Sequence, residues 1–454
     1  MIIKRFRATG LHGYLKFDLA FDQQLTFLTG INGSGKTTVV NSIVALISPS
    51  LYVLANLVYD RMSIDITNGE TKITISAVGT ENGFSLSTSQ TQSPLPVPKY
   101  VVDPDIPPGR NFERENDYYR DFATLNVAHE VLKIINDLPT PMFLDLERRT
   151  RDTSERPLIG HTRVARRGRN IFSVLLNNSL IEAVALSELY YRREATLLQQ
   201  KGDELRAEII SVLLEMEPSG GMVLSVPKQS EIEAIQNMRR YAGSIPQILK
   251  MPDDQVLSRI NPFLASLEEI AKKIPKTKTV QNIIKRSQED NDAFRALISW
   301  SQSIGQFEKL KKVIRHVERY NDEKRQITTM TTDFLTMIGK FFRDSGKEIG
   351  FDSVGDLVFT REDLKRPISA LSSGEVQMIV IIAHLFFNEA AQKANVFIID
   401  EPELSLHVQW QELFVESILD ANPSIQYILA THSPSIILNR TTNCRDLVQR
   451  QVAN

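Results

Sequence analysis

The sequence predicts an α/β protein whose two ends form one domain, with a large helical segment inserted between them. Near the N-terminus, a glycine-rich loop (30–35) separates an apolar strand from an apolar helix. Near the C-terminus, two apolar strands (395–400 and 425–430) are each followed by polar residues. Between the two ends, residues 171–343 carry apolar side chains at the three-to-four spacing that is typical of helices.

The composition is that of an ordinary globular protein. Of 454 residues, 42% are hydrophobic and 24% are charged, and the net charge of −2 gives no sign of a nucleic-acid partner. The single cysteine, Cys444, excludes a disulfide framework and a cysteine-based zinc site. No apolar run is long enough to span a bilayer, and "MIIKRFRATG" lacks the apolar core of a signal peptide. We therefore expect a cytoplasmic protein without a membrane partner.

The glycine-rich loop has the spacing of a phosphate-binding loop. Gly30, Gly35, Lys36 and Thr37 fit the pattern G-x-x-x-x-G-K-[ST]. Glycines let the backbone curl tightly and turn its N–H groups inward. Lys36 would reach the β- and γ-phosphates of a nucleotide, and the Thr37 hydroxyl would bind Mg²⁺. The alternative is a glycine-rich turn without a ligand. The strand and helix on either side favour the phosphate loop, because a helix N-terminus attracts anions.

Three stretches far downstream present polar groups at the ends of apolar elements. "ISALSSGEVQMIVIIAHLFF" (368–387) places Ser-Ser-Gly-Glu at the start of an apolar helix. "NVFIIDEPELSLH" (395–407) and "IQYILATHSPSII" (425–437) are apolar strands that end in Asp-Glu and Thr-His-Ser-Pro. The carboxyl ends of strands are where α/β sheets bind their ligands. An Asp-Glu pair after a strand is often only a solvated strand end, but here a phosphate loop accompanies it.

The order of these motifs resembles that of the ATP-binding-cassette (ABC) ATPases. The matching motifs are Walker A (Gly30–Thr37), the signature motif (Leu371–Glu375), Walker B (Val396–Glu401) and the switch histidine (His432). The resemblance covers roughly residues 1–90 and 345–454. It implies an ABC-ATPase head, with a mixed sheet, a P-loop core and an antiparallel β-subdomain. "DEPELSLH" and "ATHSP" are most similar to the soluble overcoming-lysogenization-defect and RecF-like branch. That branch includes the PtuA-like and AriA-like ATPase subunits of anti-phage systems.

The resemblance implies ATP and Mg²⁺ as ligands and assigns a role to each motif. Asp400 would hold Mg²⁺ together with Thr37. Glu401 and His432 would be the catalytic residues, Glu401 by polarising the attacking water and His432 by orienting it near the γ-phosphate. The residues expected to contact ATP are Gly30, Asn32, Gly33, Ser34, Gly35, Lys36, Thr37, Thr38, Ser372, Ser373, Gly374 and Glu375.

The signature motif implies an oligomer. In the family, Ser372 and the N–H groups at Gly374 complete the ATP site of the opposite subunit, and a helix N-terminus suits that task. The same residues also form an N-cap with a glutamate in the first turn, and the two interpretations are compatible. We expect a head-to-tail homodimer, or a higher even-numbered oligomer. Glu403 and His407 lie in a turn that faces the second nucleotide site in relatives, and His407 is either an interface contact or a local cap.

Two other parts of a family ATP site are not assigned by the sequence. Tyr14 and Phe17 are candidates for stacking on the adenine ring, but either could belong to the core. Gln90 and Gln92 lie in a tract rich in Ser and Thr that predicts a loop, and neither is identified as the family's Q-loop glutamine. Both positions stay open at this point.

The segment after the helix of the phosphate loop predicts strands. "MSIDIT" and "TKITISA" flank the turn "NGET", so residues 62–77 are predicted to form an antiparallel hairpin, with 84–89 as a third strand. A proline-rich stretch (93–111) is predicted to be a boundary. After a short helix, "PTPMFLDLERR" (139–149) predicts one more strand of the head.

An arginine-rich loop precedes the helical segment. Residues 148–170 hold eight arginines against Asp152 and Glu155, which predicts an exposed loop. The loop either contacts phosphates, those of nucleic acid or of a neighbour's ATP, or is a solvated loop that pairs with acidic surface nearby. From 171 the pattern predicts antiparallel helices of about 37 residues, roughly 55 Å long. A glycine-broken strand pair at 348–360 returns the chain to the head.

These patterns divide the chain into four parts. The predicted parts are the N-terminal head with Walker A (1–100), a boundary segment with one head strand and the arginine-rich loop (101–170), the helical insertion (171–343) and the C-terminal head (344–454).

Two functions from different classes are compatible with this organisation. The first is a slow, regulatory ATPase that acts as sensor and scaffold of an anti-phage complex. It would control a separately encoded nuclease or toxin and respond to a phage protein or nucleic acid. Only 22 residues follow His432, where single-chain nuclease relatives carry a second catalytic domain, so we expect any effector chemistry to lie on another polypeptide or to be absent. The second is a RecF-like repair ATPase that clamps or loads on DNA. A transporter subunit is disfavoured, because the helical segment far exceeds a transporter's coupling domain.

Overall fold

The computed structural model describes residues 1–102, 104–105, 108–145, 171–215, 224–249, 252–275, 279–285 and 291–447. The chain divides into two compact units: Met1–Tyr190 together with Asp333–Asn454, and Tyr191–Thr332. The arginine-rich loop predicted at 148–170 lies outside the described residues.

The strands belong to the first unit. In chain order they are β1 (Ile2–Leu11), β2 (Leu15–Ala20), β3 (Leu25–Thr29), β4 (Arg61–Asn68), β5 (Thr71–Thr80), β6 (Gly83–Thr88), β7 (Leu95–Pro98), β8 (Met142–Asp145), β9 (Glu348–Phe351), β10 (Leu357–Arg361), β11 (Leu364–Pro367), β12 (Val396–Asp400), β13 (Gln426–Ala430) and β14 (Cys444–Asp446). They form three sheets with the orders β14-β3-β13-β12-β8, β2-β1-β4-β5-β6-β7 and β11-β10-β9.

The helices are spread over both units. In chain order they are α1 (Lys36–Ile47), α2 (Leu51–Asn56), α3 (Pro108–Leu125), α4 (Glu130–Asn136), α5 (Ile171–Leu214), α6 (Gln229–Ala242), α7 (Ile245–Leu249), α8 (Asp253–Lys273), α9 (Val280–Lys285), α10 (Asn291–Phe342), α11 (Ser373–Phe387), α12 (Glu389–Ala394), α13 (Val408–Ala421) and α14 (Pro434–Ile437). None of the described helices is both long enough and apolar enough to cross a membrane.

The five-stranded sheet is parallel throughout and brings the two ends of the sequence together. β3 comes from the N-terminal part, whereas its neighbours β13 and β14 come from the C-terminal part. Every residue of β12 and β13 is buried. Parallel strands are covered on both faces, which explains why these segments are continuous apolar runs rather than alternating ones.

The six-stranded sheet is antiparallel and contains the predicted hairpin. β4 pairs with β5 around the turn at 69–70, and β6 extends the sheet as the predicted third strand. The proline-rich stretch, predicted to be a boundary, in fact contains β7. Pro96 and Pro98 point outward on this edge strand, where the missing N–H groups of proline cost no ladder hydrogen bond.

Helix α1 joins the two large sheets in one core. It contacts β4 and β5 on one side and β12 and β13 on the other. Val40 and Ile43 of α1 are fully buried and belong to the same apolar cluster as Ile64 of the antiparallel sheet and Ile428 of the parallel one. The helix that begins at the phosphate loop is therefore fixed by burial on both sides.

A buried glutamine makes a second connection between these sheets. The side-chain amide of Gln426, at the start of β13, accepts a hydrogen bond from Ile3 N and donates to Ile3 O, both at 2.8 Å. It also donates to Asp22 O at 2.8 Å. The Gln426 side chain thus satisfies backbone groups of β1 and of the turn that precedes β3.

The second unit is helical and has an apolar core of its own. Parts of α5 and α10 pack with α6 and α8, and the core includes Ile235, Leu264 and Trp300. Trp300 is fully buried, and its ring lies 5.9 Å from that of Phe307. The helices exceed the expected length of about 37 residues, because α5 has 44 residues and α10 has 52.

The terminal turns of α5 and α10 belong to the first unit. Phe334 of α10 packs on Phe387 of α11, with ring centroids 4.7 Å apart, and Tyr190 of α5 packs on Phe387 at 5.0 Å. Phe342 lies 5.7 Å from Trp410 of α13. The sequence places the limits of the insertion at 171 and 343, whereas the compact unit itself comprises Tyr191–Thr332.

The architecture confirms the predicted fold class. The first unit combines a parallel α/β core with an antiparallel β-subdomain, which is the architecture predicted for the two ends of the chain, and the chain carries a large α-helical insertion. The predicted strand at 139–149 is β8, at the edge of the parallel sheet. The strand pair predicted at 348–360 is β9 and β10, and a third strand, β11, extends it. Nothing in the apolar pattern predicts β11, because all four of its residues are exposed.

Candidate nucleotide-binding site

The candidate residues meet at one edge of the parallel sheet. Asp400, the last residue of β12, lies in register with Ala430, the last residue of β13. Ala430 in turn lies in register with Leu28, near the end of β3. The segments that follow these three strands are the glycine-rich loop, the Asp-Glu turn and the Thr-His-Ser-Pro turn, so all three begin at the same edge.

The loop between β3 and α1 has a backbone that only glycine adopts easily. Gly30, Gly33 and Gly35 have φ angles of 154°, 83° and 94°. A Cβ atom on Gly30 would lie 2.6 Å from Ser34 Oγ, so the loop also leaves no room for a side chain there. Gly35 is the N-cap of α1, and the helix N-terminus with its unpaired N–H groups faces this loop. This is the geometry of an anion site.

Lys36, the first residue of α1, turns back over the loop. Its side chain is buried, and Nζ donates to Gly30 O at 3.0 Å. Thr37 and Thr38 follow in the first turn and are partly buried. Thr38 Oγ1 lies 3.0 Å from Nε2 of His12, which comes from the turn between β1 and β2. The sequence offers no signal for this histidine contact, because His12 lies 26 residues away.

The Asp-Glu turn starts with a buried carboxylate. Asp400 is fully buried at the end of β12. Glu401 N donates to Ala430 O at 2.8 Å, which extends the ladder by one residue, and Glu401 has a φ of 50°. A left-handed backbone is uncommon for a residue other than glycine, and such conformations concentrate at functional sites. The side chain of Glu401 is partly exposed, so a water molecule can reach it.

The turn after β13 is tied to the turn after β12 by two side-chain contacts. Glu403 Oε1 accepts a hydrogen bond from the backbone N of His432 at 2.8 Å and lies 3.0 Å from the ring Nδ1 of the same residue. Ser433 Oγ donates to Gln411 Oε1, on α13, at 2.7 Å. Gln411 Nε2 donates to Leu406 O at 2.9 Å. Residues 401–406 and 432–433 therefore form one hydrogen-bonded unit.

His407 acts as a cap in this chain. It is the N-cap of α13, and its Nδ1 accepts a hydrogen bond from Gln409 N at 3.4 Å. Its side chain is exposed, so this local role leaves room for a contact with a second subunit. Both interpretations made from the sequence therefore remain compatible with the structure.

The signature motif forms a complete capping box at the start of α11. Glu375 Oε2 accepts from Ser372 N at 2.8 Å, and Ser372 Oγ accepts from Glu375 N at 3.4 Å. Lys347, from the turn before β9, donates to both oxygens of Glu375 at 2.7 and 2.8 Å. Burial alone would raise the pKa of Glu375, but the bonds from Lys347 and Ser372 outweigh it and lower that pKa. Glu375 thus stays ionised and holds the cap.

Gly374 is required by a close approach of two chain segments. A Cβ atom at this position would lie 2.3 Å from the carbonyl oxygen of Ser405, in the turn after β12. Gln377, one turn further along α11, donates to Pro402 O at 3.0 Å and is buried. The helix that carries the signature motif is therefore anchored to the same turn that carries Glu401 and Glu403.

The structure brings together only some of the predicted residues. Gly30–Thr38, Asp400–Glu401 and His432 share the carboxyl edge of the parallel sheet, whereas the signature motif lies at the start of α11. In the described part of the chain, no hydrogen bond or ion pair joins Ser372–Glu375 to residues 30–38. Ser372 and Ser373 are exposed. Within one subunit, the signature motif thus does not take part in the phosphate loop's own hydrogen bonds.

The aromatic candidates for adenine stacking are separated by their burial. Phe17 is 5% exposed and belongs to the core, whereas Tyr14, in the turn between β1 and β2, is 54% exposed. Only Tyr14 has a free ring face to offer.

Sequence reasoning missed His12 and Lys347, which contact the site from distant segments without a motif of their own.

The donor set fits a magnesium–nucleotide complex better than a protein-only metal site. Among the described residues, no group of three or more His, Cys, Asp or Glu could hold a metal ion. Mg²⁺ typically takes one or two protein oxygens and completes its shell with phosphates and water. Thr37 and Asp400, on neighbouring segments of the sheet edge, are oxygen donors of this kind, so they would hold the ion.

Residues 253–439 match the protein family described as "AAA domain, putative AbiEii toxin, Type IV TA system". The matched stretch contains the signature motif, Asp400–Glu401 and His432, while the phosphate loop precedes it. This match and the phosphate loop support an ATPase of the AAA/ABC type.

A curated relative is the "Retron Vc95 probable ATPase" of Vibrio cholerae serotype O1 biovar El Tor, 28% identical over 96 residues. The match covers 19% of this chain and 19% of that protein, so the chain spans about a fifth of its relative's length. Solved structures to which this chain is similar include the Smc head domain with an extended coiled coil from Pyrococcus furiosus, bound to the C-terminal domain of ScpA. It has 12% identity and a TM-score of 0.39, over 99% of this chain and 94% of that one. The SMC head domain from Thermotoga maritima has 10% identity and a TM-score of 0.36, over 96% and 91%.

The Lys347–Glu375 pair generates a prediction about stability. Lys347→Met keeps the apolar length of the side chain near Phe359 but removes the charge that faces a buried carboxylate. We expect the free energy of unfolding at pH 7 to fall by about 2 kcal/mol. Because the folded-state pKa of Glu375 lies below its ordinary value of 4.5, the pair stabilises the fold above that pH and ceases to do so as pH falls through the folded pKa.

Urea denaturation of wild type and Lys347→Met at pH 7 and at pH 4 measures their difference in unfolding free energy. This difference should be smaller at pH 4 than at pH 7. Lys340→Met, on the exposed face of α10, is the matched control and should cost less than about 0.5 kcal/mol. Equal stability of wild type and Lys347→Met at pH 7 would remove Lys347 from this role.

Proposed function

We propose that this chain is an ATP-hydrolysing enzyme of the AAA/ABC type that acts as a dimeric switch in an anti-phage defence complex. The ATPase part rests on one observation: the phosphate loop, the Asp-Glu turn and His432 follow three neighbouring parallel strands and share one sheet edge. Phosphoryl transfer depends mainly on positioning and on charge stabilisation, so residues held at one edge are sufficient for it.

Each group at this edge has a task in the proposed reaction. The N–H groups at the start of α1 and the ammonium of Lys36 bind the β- and γ-phosphates. Thr37 and Asp400 would hold Mg²⁺, and the ion would supply positive charge opposite the phosphates. Glu401 polarises the attacking water, and His432 contacts the γ-phosphate region and orients that water. The Lys36–Gly30 hydrogen bond is exchanged for a bond to phosphate.

The proposed second half of the site comes from another subunit. Ser372 and Ser373 are exposed at the N-terminus of a helix of 15 residues, and the cap around them is held rigid by Glu375 and Lys347. A preorganised N-terminus of this kind suits the γ-phosphate bound in a partner's loop. ATP then holds two heads together head to tail, and its hydrolysis releases them, which makes the dimer a switch.

The defence role is supported by the relatives. One is named as a retron ATPase, and the matching family carries a toxin–antitoxin description. The helical unit, with its own apolar core, offers docking surface for an effector or a viral trigger. In the proposed mechanism, ATP-bound heads restrain a separately encoded nuclease or toxin. A trigger that moves the complex from mostly closed to mostly open needs about 5 kcal/mol of differential affinity, which a protein or nucleic-acid contact supplies.

The ATPase assignment predicts distinct outcomes for two variants. Lys36→Ala should abolish ATP binding, because the backbone N–H groups alone leave the γ-phosphate charge poorly compensated. Glu401→Gln should bind ATP normally but turn over at least about 100-fold more slowly, since loss of a positioned base typically costs that much. Isothermal titration and phosphate release measure the two effects. Lys340→Ala and Glu412→Gln, both exposed and neither among the candidate site residues, serve as controls. Equal turnover of Glu401→Gln and wild type would remove Glu401 from its role.

The shared-site arrangement predicts complementation between two inactive variants. Ser372→Arg should block hydrolysis while leaving ATP binding intact, because Ser372 serves the partner's site. Mixing it with Lys36→Ala should restore up to one working site per heterodimer, since one combination of intact loop and intact signature motif remains. Phosphate release by the mixture, together with light scattering for the dimer, tests this. A mixture that dimerises but stays inactive would contradict the arrangement.

The defence role predicts the result of a phage challenge in cells that carry the gene with its neighbours. Protection should disappear with Lys36→Ala and also with deletion of the neighbouring effector gene, because the switch and the toxic activity lie on different chains. Plaque counts on wild-type and variant cells measure this. Full protection by this chain alone would contradict the separate effector. No protection, combined with sensitivity to DNA damage and salt-dependent DNA binding, would favour the RecF-like repair function instead.

A further inference from the structure

We propose that Glu403 is a positioning residue that fixes the tautomer and orientation of His432. The inference rests on the proposed ATPase function of the site, because it concerns how the switch histidine is presented to the γ-phosphate. Glu403 lies in the turn after β12, whereas His432 follows β13, so the contact joins two separate segments of the sheet edge.

Glu403 contacts both the main chain and the ring of His432. One carboxylate oxygen, Oε1, accepts a hydrogen bond from the His432 backbone N at 2.8 Å and lies 3.0 Å from the ring Nδ1. The two contacts favour one ring orientation, because the backbone bond fixes the main chain and the carboxylate lies next to Nδ1. The side chain of Glu403 is 6% exposed, whereas that of His432 is 46% exposed. The carboxylate of Glu403 is therefore buried, whereas the imidazole of His432 is partly exposed to solvent.

A carboxylate oxygen is a hydrogen-bond acceptor, so its position 3.0 Å from Nδ1 favours the tautomer with the proton on Nδ1. In the neutral imidazole, Nε2 on the far side of the ring is then an acceptor. An acceptor at Nε2 can orient the attacking water. Without Glu403, the ring would sample both tautomers and several orientations, and only a fraction of them would be productive.

The carboxylate itself is held in place by its own turn. Glu403 O accepts from Leu406 N at 3.1 Å, and Gln411 on α13 bonds Leu406 O and Ser433 Oγ. In the described part of the chain, Glu403 Oε2 is buried and has no hydrogen-bond partner. The contacts of the carboxylate within this chain therefore run through Oε1 to His432. A buried carboxylate with so few partners is costly for stability, which favours a role in the site over a purely structural one.

Glu403→Gln tests the inference, because the amide preserves size but can donate to Nδ1 and so favour the wrong tautomer. We expect kcat to fall about 10–100-fold, with the Kd for ATP within about 3-fold of wild type. Glu412→Gln, an exposed glutamate on α13, is the matched control and should leave both values unchanged. Urea denaturation confirms that each variant is folded.

A double-mutant cycle separates positioning from an independent effect. Because Glu403 acts through the imidazole, Glu403→Gln combined with His432→Asn should be no slower than His432→Asn alone. If the fold-reductions in kcat of the two single variants multiply in the double variant, the inference is overturned.

A spectroscopic readout tests the pairing without any turnover. In ¹⁵N-histidine-labelled protein, with His432→Asn to assign the signal among seven histidines, the His432 ring should be protonated at Nδ1 in wild type and change tautomer in Glu403→Gln. An Nε2-protonated ring in wild type, or no change in the variant, would overturn the inference. If the wild type hydrolyses no ATP at all, the proposed function fails, and this measurement still decides the role of Glu403.

Discussion

The register of three parallel strands is the constraint on which the rest of the structure depends. Leu28, Ala430 and Asp400 lie side by side near the ends of β3, β13 and β12, although they are far apart in the sequence. A shift of one residue in any pair would turn a buried side chain to the other face and move a polar turn out of the site. Continuous burial of β12 and β13, the packing of α1 between the two sheets and the Gln426 contacts with β1 all hold this register.

Two polar pairs, Lys347–Glu375 and Glu403–His432, each combine a buried side chain with a group that is more exposed. Lys347 holds Glu375, which in turn holds the cap at Ser372, and Glu403 holds His432. In both cases a buried, charge-assisted contact fixes a more exposed group. Such contacts are stronger than neutral hydrogen bonds and cost stability when one partner is lost. The turn after β12 connects the two pairs, because Gly374 and Gln377 of α11 contact it at Ser405 and Pro402. Movement of that turn would therefore affect both the signature helix and the histidine.

The helical unit and the head have separate cores, and this matters for a switch. Tyr191–Thr332 has its own buried cluster around Trp300, while the ends of α5 and α10 are fixed in the head by Phe334, Tyr190 and Trp410. A segment with its own core can bind a partner without disturbing the fold of the site. α5 and α10 each contribute residues to both units.

The sequence by itself determined the fold class and the identity of the main motifs, because both depend on local pattern. Gly30–Thr37 is recognisable from spacing, and β12 and β13 are recognisable as continuous apolar runs. The tertiary structure alone decided which distant groups support these motifs. Lys347 beside Glu375, His12 beside Thr38 and Glu403 on the ring of His432 are contacts between segments that carry no shared periodicity. It also decided that the proline-rich stretch forms β7, because prolines in a sequence argue against a strand, and that β11 exists, because all four of its residues are exposed. Such features depend on how strands are paired in space, and a one-dimensional pattern contains no record of that pairing.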